Sequence, residues 1–184
     1  MSDRWTVHRE DVIYASPWVS LHLADVEAPS GARIPHHLVR VPASGAGTVM
    51  VDTSGRVLLI FRYRFIVSRF GWELPAGKVE QGEEPAETAR REALEETGWE
   101  PKNLQHLLSM NTSPGLTDQI SHLFLAREAD RRGDPVDTDE SVSLRWCLPA
   151  EIRTLIQAGE ITDAFTLSGL LWYLTLMNQG NHST

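Results

Sequence analysis

Apolar and polar positions alternate in the first part of the chain as they do in β-strands. Trp18 to Asp25 alternates in part and Arg33 to Val41 is rich in β-forming residues, with SP and APSG turns at their boundaries. These segments predict an N-terminal hairpin, after which PASGAG is typical of a linker. Thr48 to Asp52 and the strongly apolar Val57 to Phe61 flank a TSGR turn, a pattern that predicts a buried hairpin.

Later segments predict further strands and two terminal helices. Pro149 suits the first turn of a short helix that Gly159 closes, and Asp163 or Thr162 caps a last helix that ends near Met177. The polar stretch READRRGDPVDTDES is typical of a loop. The order of the elements predicts a mixed sheet with helices on its faces. The remaining predicted strands are Leu104 to Met110, His122 to Ala126 and Val142 to Leu148.

The central helix has clear start and stop signals. Pro85 suits its first turn and Gly98 suits a left-handed stop, so the pattern predicts a helix from Pro85 to Thr97. Small residues share one stripe of this helix and allow it to approach the sheet closely. This stripe consists of Ala86, Ala89, Ala93 and Thr97, and the neighbouring arc carries Glu92, Glu95 and Glu96.

Composition limits the class of protein. A chain of 184 residues with 41% hydrophobic content is long enough for one packed domain. The net charge of -8 argues against a nucleic-acid binder, which normally has a basic face. Neither end resembles a targeting signal, and the longest apolar run, Leu170 to Met177, is too short to span a bilayer. With Cys147 as the only cysteine, we expect a soluble, cytoplasmic protein without a membrane partner.

Much of the negative charge is concentrated around the central helix. Between Glu73 and Glu100 there are nine acidic residues and three basic ones. Like charges three or four positions apart on an exposed helix cost only about 0.2–0.5 kcal/mol per pair, so a solvated acidic face is one interpretation. The other is a site for a hard divalent cation, which prefers clustered carboxylates on a rigid element.

The spacing of the glycines and charged residues resembles the Nudix box. Gly77 is followed after five residues by Glu83, and after seven more by the run REALEETGW, which ends at Trp99. The resemblance implies an α/β/α sandwich that hydrolyses a nucleoside diphosphate linked to another group, with Mg²⁺ or Mn²⁺ as cofactor. It also implies that Glu83 forms an internal salt bridge with Arg91. The metal ligands that it implies are Glu92, Glu96, Glu95 and the carbonyl group of Ala76.

Three features outside the box resemble the ADP-ribose pyrophosphatase branch of the family. FRYRF and WELPAG are similar to that branch's QYR and WELPAG strand ends, although Phe61-Arg62 stands where glutamine is usual. Pro114 lies sixteen residues beyond Gly98, which is the branch's characteristic proline position. GEITDAFTLSGLLWYL is similar to its closing helix. These similarities imply hydrolysis of ADP-ribose to AMP and ribose 5-phosphate.

The same resemblance assigns substrate contacts. It implies that Arg64 contacts the phosphates or the terminal ribose, although an exposed arginine at a strand end is an equally ordinary interpretation. Glu73 and Pro114 are further candidates for substrate binding. Trp18 is the candidate to stack on the adenine in the partner subunit's site, and its alternative role is packing or a dimer core.

A catalytic base is implied in the acidic loop 137–140. Glu140 is the first choice and Asp139 the second, because a mobile acidic loop can bring a base to the attacking water. Gln119 departs from the branch, in which an acidic residue often follows the equivalent of GLTD. This departure leaves the substrate open between ADP-ribose, nucleotide sugars and dinucleotides.

We therefore expect an α/β protein with two parts. Residues 1–44 form a small antiparallel β subdomain, a hairpin that contributes to a homodimer, and residues 45–184 form the Nudix domain. The apolar stretch Trp172-Tyr173-Leu174 also favours a dimer, unless it belongs to the core. A non-catalytic nucleotide sensor is the alternative from another class, and the complete set of box carboxylates argues against it.

Overall fold

The chain divides into two compact units. The computed structural model describes residues 3–136 and 143–180. One unit consists of Met1–Ser44 with Asn111–Ile120, and the other consists of Gly45–Met110 with Ser121–Thr184. The three helices found in these described ranges lie in the second unit, and they are α1 (Pro85–Thr97), α2 (Pro149–Gln157) and α3 (Ala164–Gly180). None of the helices in the described ranges has the length and apolar content of a membrane span.

The first unit is built on a three-stranded antiparallel sheet in the order β1-β2-β3. Its strands are β1 (Thr6–Ala15), β2 (Ser20–Glu27) and β3 (Arg33–Arg40). The predicted hairpin is β2 and β3, and the turn between them uses Gly31 at φ +87°, a conformation that favours glycine. Strand β1 was not predicted, because its polar and apolar residues do not alternate regularly. Register shifts in its pairing with β2 accompany that irregular pattern.

The segment 111–120 belongs to this first unit through contacts with β3. The amide of Val39 donates to the carbonyl of Leu116 at 2.8 Å, and Val39 forms a parallel bridge with Thr117. Asp118 accepts hydrogen bonds from the Arg40 guanidinium and the Val41 amide, each at 3.1 Å. These long-range bonds explain why a stretch so late in the sequence groups with the N-terminal sheet.

The second unit contains three small sheets. A mixed sheet has the order β7-β4-β10-β9, with β4 parallel to β10 and antiparallel to β7. An antiparallel sheet has the order β12-β5-β6, and a two-stranded ribbon pairs β11 with β8. The strands are β4 (Gly45–Met50), β5 (Val57–Arg64), β6 (Arg69–Glu73), β7 (Ala76–Lys78), β8 (Trp99–Lys102), β9 (Gln105–Asn111), β10 (Ile120–Ala126), β11 (Glu128–Arg131) and β12 (Ser143–Cys147).

The hairpin predicted from residues 48–61 is wrong. Strands β4 and β5 belong to different sheets, and only an isolated antiparallel bridge between Val51 and Val57 joins their ends. β5 instead forms a hairpin with β6, and the other neighbours of the two strands come from distant parts of the sequence, which apolar periodicity does not specify. The stretch predicted as a loop after residue 126 is also partly wrong, because Glu128–Arg131 pairs with β8.

Strand β4 is buried on both faces and separates two helical layers. Ala46 packs in a cluster with Ala89 of α1, and Met50 packs with Ala93. The opposite face carries Val49, which joins the main core with Leu170 of α3. The predicted mixed α/β fold with helices on both faces of the sheet is therefore confirmed.

Helix α1 begins and ends where the sequence predicts. Its first turn is closed by the Glu84 amide, which donates to the Glu87 carboxylate at 3.1 Å. At its other end Gly98 has φ 71° and its amide donates to the Leu94 carbonyl at 2.8 Å. Helix α3 begins after Asp163, whose carboxylate accepts from the Thr166 amide at 2.7 Å, so Asp163 is the cap of the two predicted.

Candidate active site

The acidic arc of α1 faces the strand β7 and the inner face of β5. Glu96 is only 2% exposed, and its Oε2 atom accepts a hydrogen bond from the Ala76 amide at 2.9 Å. Its Oε1 atom forms an ion pair with the guanidinium of Arg62, which is also 2% exposed. Glu96, the last glutamate of the box, is therefore held between β7 and β5 and is removed from solvent.

Glu92 lies against the backbone of Gly77. A Cβ atom at Gly77 would coincide with the Glu92 carboxylate, so only glycine leaves room for this side chain. The Glu92 side chain is 15% exposed. Because Glu96 accepts from the Ala76 amide and Glu92 lies against Gly77, the two carboxylates contact adjacent residues at the start of β7.

Arg91 organises the remaining box carboxylates. Its Nε and Nη2 atoms lie 2.8 and 3.0 Å from the two carboxylate oxygens of Glu83, so the predicted internal salt bridge is confirmed. Its Nη1 atom donates to Glu92 at 2.7 Å and to Glu95 at 3.0 Å. One guanidinium therefore fixes the loop before the helix and two glutamates of the arc.

The pKa values of two carboxyl groups in this network are shifted in opposite directions. The hydrogen bond from Arg91, with a further one from Thr88, lowers the pKa of Glu83 to about 2. Burial raises the pKa of Glu96 to about 7, although the bonds from Arg62 and the Ala76 amide favour its charged form. The Glu96 carboxyl is consequently a group that a second cation would readily ionise.

Arg64 and Glu73, both predicted to bind substrate, contact each other. The Arg64 Nη2 atom donates to Glu73 Oε2 at 2.6 Å, and its Nε atom lies 3.1 Å from both oxygens. Glu73 is buried, whereas the Arg64 side chain is 49% exposed. The carboxylate therefore holds a half-exposed guanidinium at the end of the β5–β6 hairpin.

Arg62 is the site residue that sequence reasoning missed. The resemblance to the branch marks this position only as a departure from the usual glutamine. The signal for it in the sequence was its position in β5. Every second residue of a strand points to the same face, so Arg62 shares with Leu58 and Ile60 the face that α1 covers. A charged residue in a buried phase of a strand implies an opposite charge facing it.

The other predicted contacts belong to the first unit. Trp18 lies in the turn between β1 and β2 and is 68% exposed, so within this chain it is not a core residue. Pro114 lines a cleft of about 490 Å³ in the same unit, together with Trp5, Arg40 and Asp118. Glu140 and Asp139, the candidates for the catalytic base, lie outside the described residues.

The donor set around Ala76 fits a hard divalent cation. Within residues 3–136 and 143–180, no three carboxyl, imidazole or thiol side chains converge as a ready-made metal cage. The fit rests instead on Glu96 and Glu92, which contact the adjacent residues Ala76 and Gly77, and on Glu95, which shares Arg91 with Glu92. All of these groups offer oxygen atoms, which Mg²⁺ and Mn²⁺ prefer.

Comparison with known proteins agrees with this geometry. Residues 41–166 match the model of the NUDIX domain. The chain belongs to the Nudix family. Members of the family generally use divalent metal ions, in agreement with the oxygen-rich donor set of this site.

Two relatives show the branch of the family. The CMP-5'-(N-acetyl-N-hydroxy-3-aminopropyl)phosphonate hydrolase of Streptomyces rubellomurinus is 40% identical over 94% of this chain and 84% of the relative. The ADP-ribose pyrophosphatase of Bacillus subtilis is 34% identical over 88% of this chain and 87% of its own. This Nudix protein lies in the ADP-ribose pyrophosphatase-like branch and is a hydrolase of pyrophosphate bonds.

A solved structure shows the same fold. An ADP compounds hydrolase superposes with a TM-score of 0.84 and covers 96% of both chains at 18% sequence identity. The match extends over nearly the whole chain, so it covers more than the box helix and its loop.

The contact between Gly77 and Glu92 predicts a separation of activity from stability. In Gly77→Ala the three atoms nearest to the new Cβ all belong to the flexible Glu92 carboxylate, which must move. We expect the free energy of unfolding in urea to change by less than about 1 kcal/mol and turnover to fall roughly a hundredfold. Gly133→Ala is the matched control, because a Cβ atom there meets nothing within 4 Å. Normal turnover by Gly77→Ala would contradict the placement of Glu92.

The raised pKa of Glu96 predicts a pH-dependent stability of the metal-free protein. A carboxyl whose folded-state pKa is about 7 instead of 4.5 stabilises the fold while protonated, and this contribution is lost as the pH rises through 7. Wild type should lose about 3 kcal/mol of unfolding free energy relative to Glu96→Gln between about pH 4 and pH 8, because the glutamine does not titrate. Urea unfolding in the presence of a chelator measures this loss, and a difference independent of pH would show that folding does not raise the pKa of Glu96.

Proposed function

We propose that this Nudix hydrolase cleaves the pyrophosphate of ADP-ribose, using Mg²⁺ or Mn²⁺, to give AMP and ribose 5-phosphate. The observation that carries the proposal is that Glu96 and Glu92 contact the adjacent residues Ala76 and Gly77 of β7. The similarity to an ADP-ribose pyrophosphatase over most of both chains supports the choice of substrate.

The proposed metal ligands are Glu92, Glu96, Glu95 and the carbonyl oxygen of Ala76. When bound, the ion offsets the charge of the diphosphate and lowers the pKa of a coordinated water. Arg91 keeps Glu92 and Glu95 side by side for this purpose. An acidic site without a cation would repel its own substrate, so the metal requirement follows from the charge of the site.

The proposed reaction transfers one phosphoryl group to water. A water oxygen bonds to one phosphorus while the bridging P–O bond breaks, and the bridging oxygen leaves on the other phosphate. The proposed base that takes the proton of the water is Glu140, with Asp139 as the second candidate. Arg64, oriented by Glu73, contacts the phosphates or the terminal ribose.

The nucleoside end of the substrate is assigned to the first unit. We propose that Trp18 stacks on the adenine in the partner subunit's site, which its exposure of 68% makes physically feasible. Pro114 is proposed as a further substrate contact, at the wall of its cleft.

A second substrate class is favoured by one observation. The relative with 40% identity acts, by its name, on a phosphonate linked to CMP. An anhydride between a nucleoside monophosphate and a small phosphonate or sugar phosphate presents the same bond to the box. This class, which includes nucleotide sugars, and the dinucleotides are therefore the alternatives to ADP-ribose.

A coupled assay distinguishes these substrates. The protein is incubated with ADP-ribose, nucleotide sugars, dinucleotides and a CMP-linked phosphonate, and a phosphatase releases phosphate from the products. We expect ADP-ribose to give the highest kcat/KM, and addition of a chelator to abolish turnover. A higher kcat/KM for another compound would transfer the assignment to that class.

The same assay tests the carboxylates. Glu92→Gln and Glu96→Gln should each lower kcat by roughly a hundredfold or more, because each removes a negative ligand with little change in shape. Glu128→Gln, an exposed glutamate of β11, is the matched control and should retain turnover. Near-normal activity of both box variants would exclude the proposed metal site.

We also propose a homodimer in the cytoplasm. Within the first unit the apolar side chains of Val7, Val12, Ile13 and Tyr14 are more than half exposed, which is unusual for a surface without a partner. The buried, unpaired Cys147 fits a reducing compartment. Sedimentation at micromolar concentration should give twice the chain mass of 20.6 kDa, and a monomer would remove this part of the proposal.

A further inference from the structure

Arg62 is a fully buried cation at a site expected to hold another cation. Its side chain is 2% exposed and its guanidinium is paired with Glu96. Its Nε atom also lies 4.0 Å from Glu73 Oε2. Burial of a guanidinium is costly, so this placement needs opposite charges, and the structure supplies two.

The contacts of Arg62 join the two halves of the site. Glu73 belongs to the β5–β6 hairpin and pairs with Arg64 at 2.6 Å, whereas Glu96 belongs to α1. A chain of alternating charges therefore runs from Arg64 through Glu73 and Arg62 to Glu96. The hairpin that carries the proposed substrate contact is tied in this way to the helix that carries the proposed metal ligands.

The bonds to Glu96 also fix its orientation. Oε1 is engaged by Arg62 and Oε2 by the Ala76 amide at 2.9 Å. A carboxylate held at both oxygens has a fixed orientation, and a carboxylate oxygen can accept more than one bond. Glu92, by contrast, is held by Arg91, a residue of its own helix.

We propose that Arg62 is a positioning residue that shares Glu96 with the divalent ion. It holds the carboxylate in its ligating orientation and offsets part of its charge, which weakens binding of the ion. The inference rests on the proposed function, because it assumes that Glu96 is a metal ligand. The Arg62 guanidinium and a divalent ion on the same carboxylate repel each other. Even with the dielectric constant of water, this repulsion weakens binding of the ion by a factor of roughly ten.

Direct measurement of Mn²⁺ binding tests this role. Electron paramagnetic resonance of free Mn²⁺ gives the dissociation constant for wild type, Arg62→Gln and Arg62→Lys without any substrate. Arg62→Gln should bind Mn²⁺ roughly ten times more tightly, while Arg62→Lys, which restores the charge, should stay within about threefold of wild type. Arg90→Gln is the control, because it removes an exposed charge from α1, the helix that carries Glu96. Solvent screens this charge, so the dissociation constant should also stay within about threefold of wild type.

A thermal readout covers the case in which Arg62→Gln is unstable. The midpoint of unfolding is recorded with and without Mn²⁺, because at a given concentration a ligand that binds the folded state more tightly raises this midpoint more. Mn²⁺ should raise the midpoint of Arg62→Gln more than that of wild type. Equal or weaker binding by Arg62→Gln in both measurements would overturn the inference.

The outcome also distinguishes the two levels of the proposal. If Glu92→Gln and Glu96→Gln bind Mn²⁺ as tightly as wild type does, the proposed metal site itself fails. If those variants lose binding and wild type hydrolyses its substrate, but Arg62→Gln gains no affinity, only the role of Arg62 fails.

Discussion

The buried carboxylate of Glu96 is the point on which the geometry of the site depends. It connects α1 with β5 through Arg62 and with β7 through the Ala76 amide. A carboxylate removed from water without such partners would cost several kcal/mol, so the three elements are constrained to meet at this group. Once Glu96 is fixed, the rotation of α1 about its axis is fixed as well, and Glu92 is directed toward Gly77.

This arrangement requires that the helix approach the sheet closely. Ala89 and Ala93 are fully buried against β4, and the hydroxyl of Thr48 donates to the Ala89 carbonyl at 3.0 Å. Larger side chains in these positions would hold the helix away from the strands. The same need for space applies at Gly77, where the Glu92 carboxylate occupies the volume of a side chain. The small residues therefore belong to the site as much as the glutamates do.

Identical side chains have different chemical states along one loop and helix. The carboxyl of Glu83, held by Arg91, has a pKa near 2, whereas burial raises that of Glu96 to about 7. Their neighbours in space account for the difference. A cluster of glutamates in a sequence thus contains groups with separate roles, one ionised and structural, the other responsive to a cation.

The sequence by itself determined the elements whose signals are local. Pro85 and Gly98 set the bounds of α1, the alanine stripe set its packing face, and the box spacing predicted both the family and the salt bridge between Arg91 and Glu83. Only the tertiary structure decided that β4 and β5 lie in separate sheets, that segment 111–120 joins the N-terminal unit, and that Arg62 forms a buried ion pair with Glu96. The reason is physical: helix caps and periodicity act over a few residues, whereas strand partners and buried ion pairs are chosen among groups far apart in the chain.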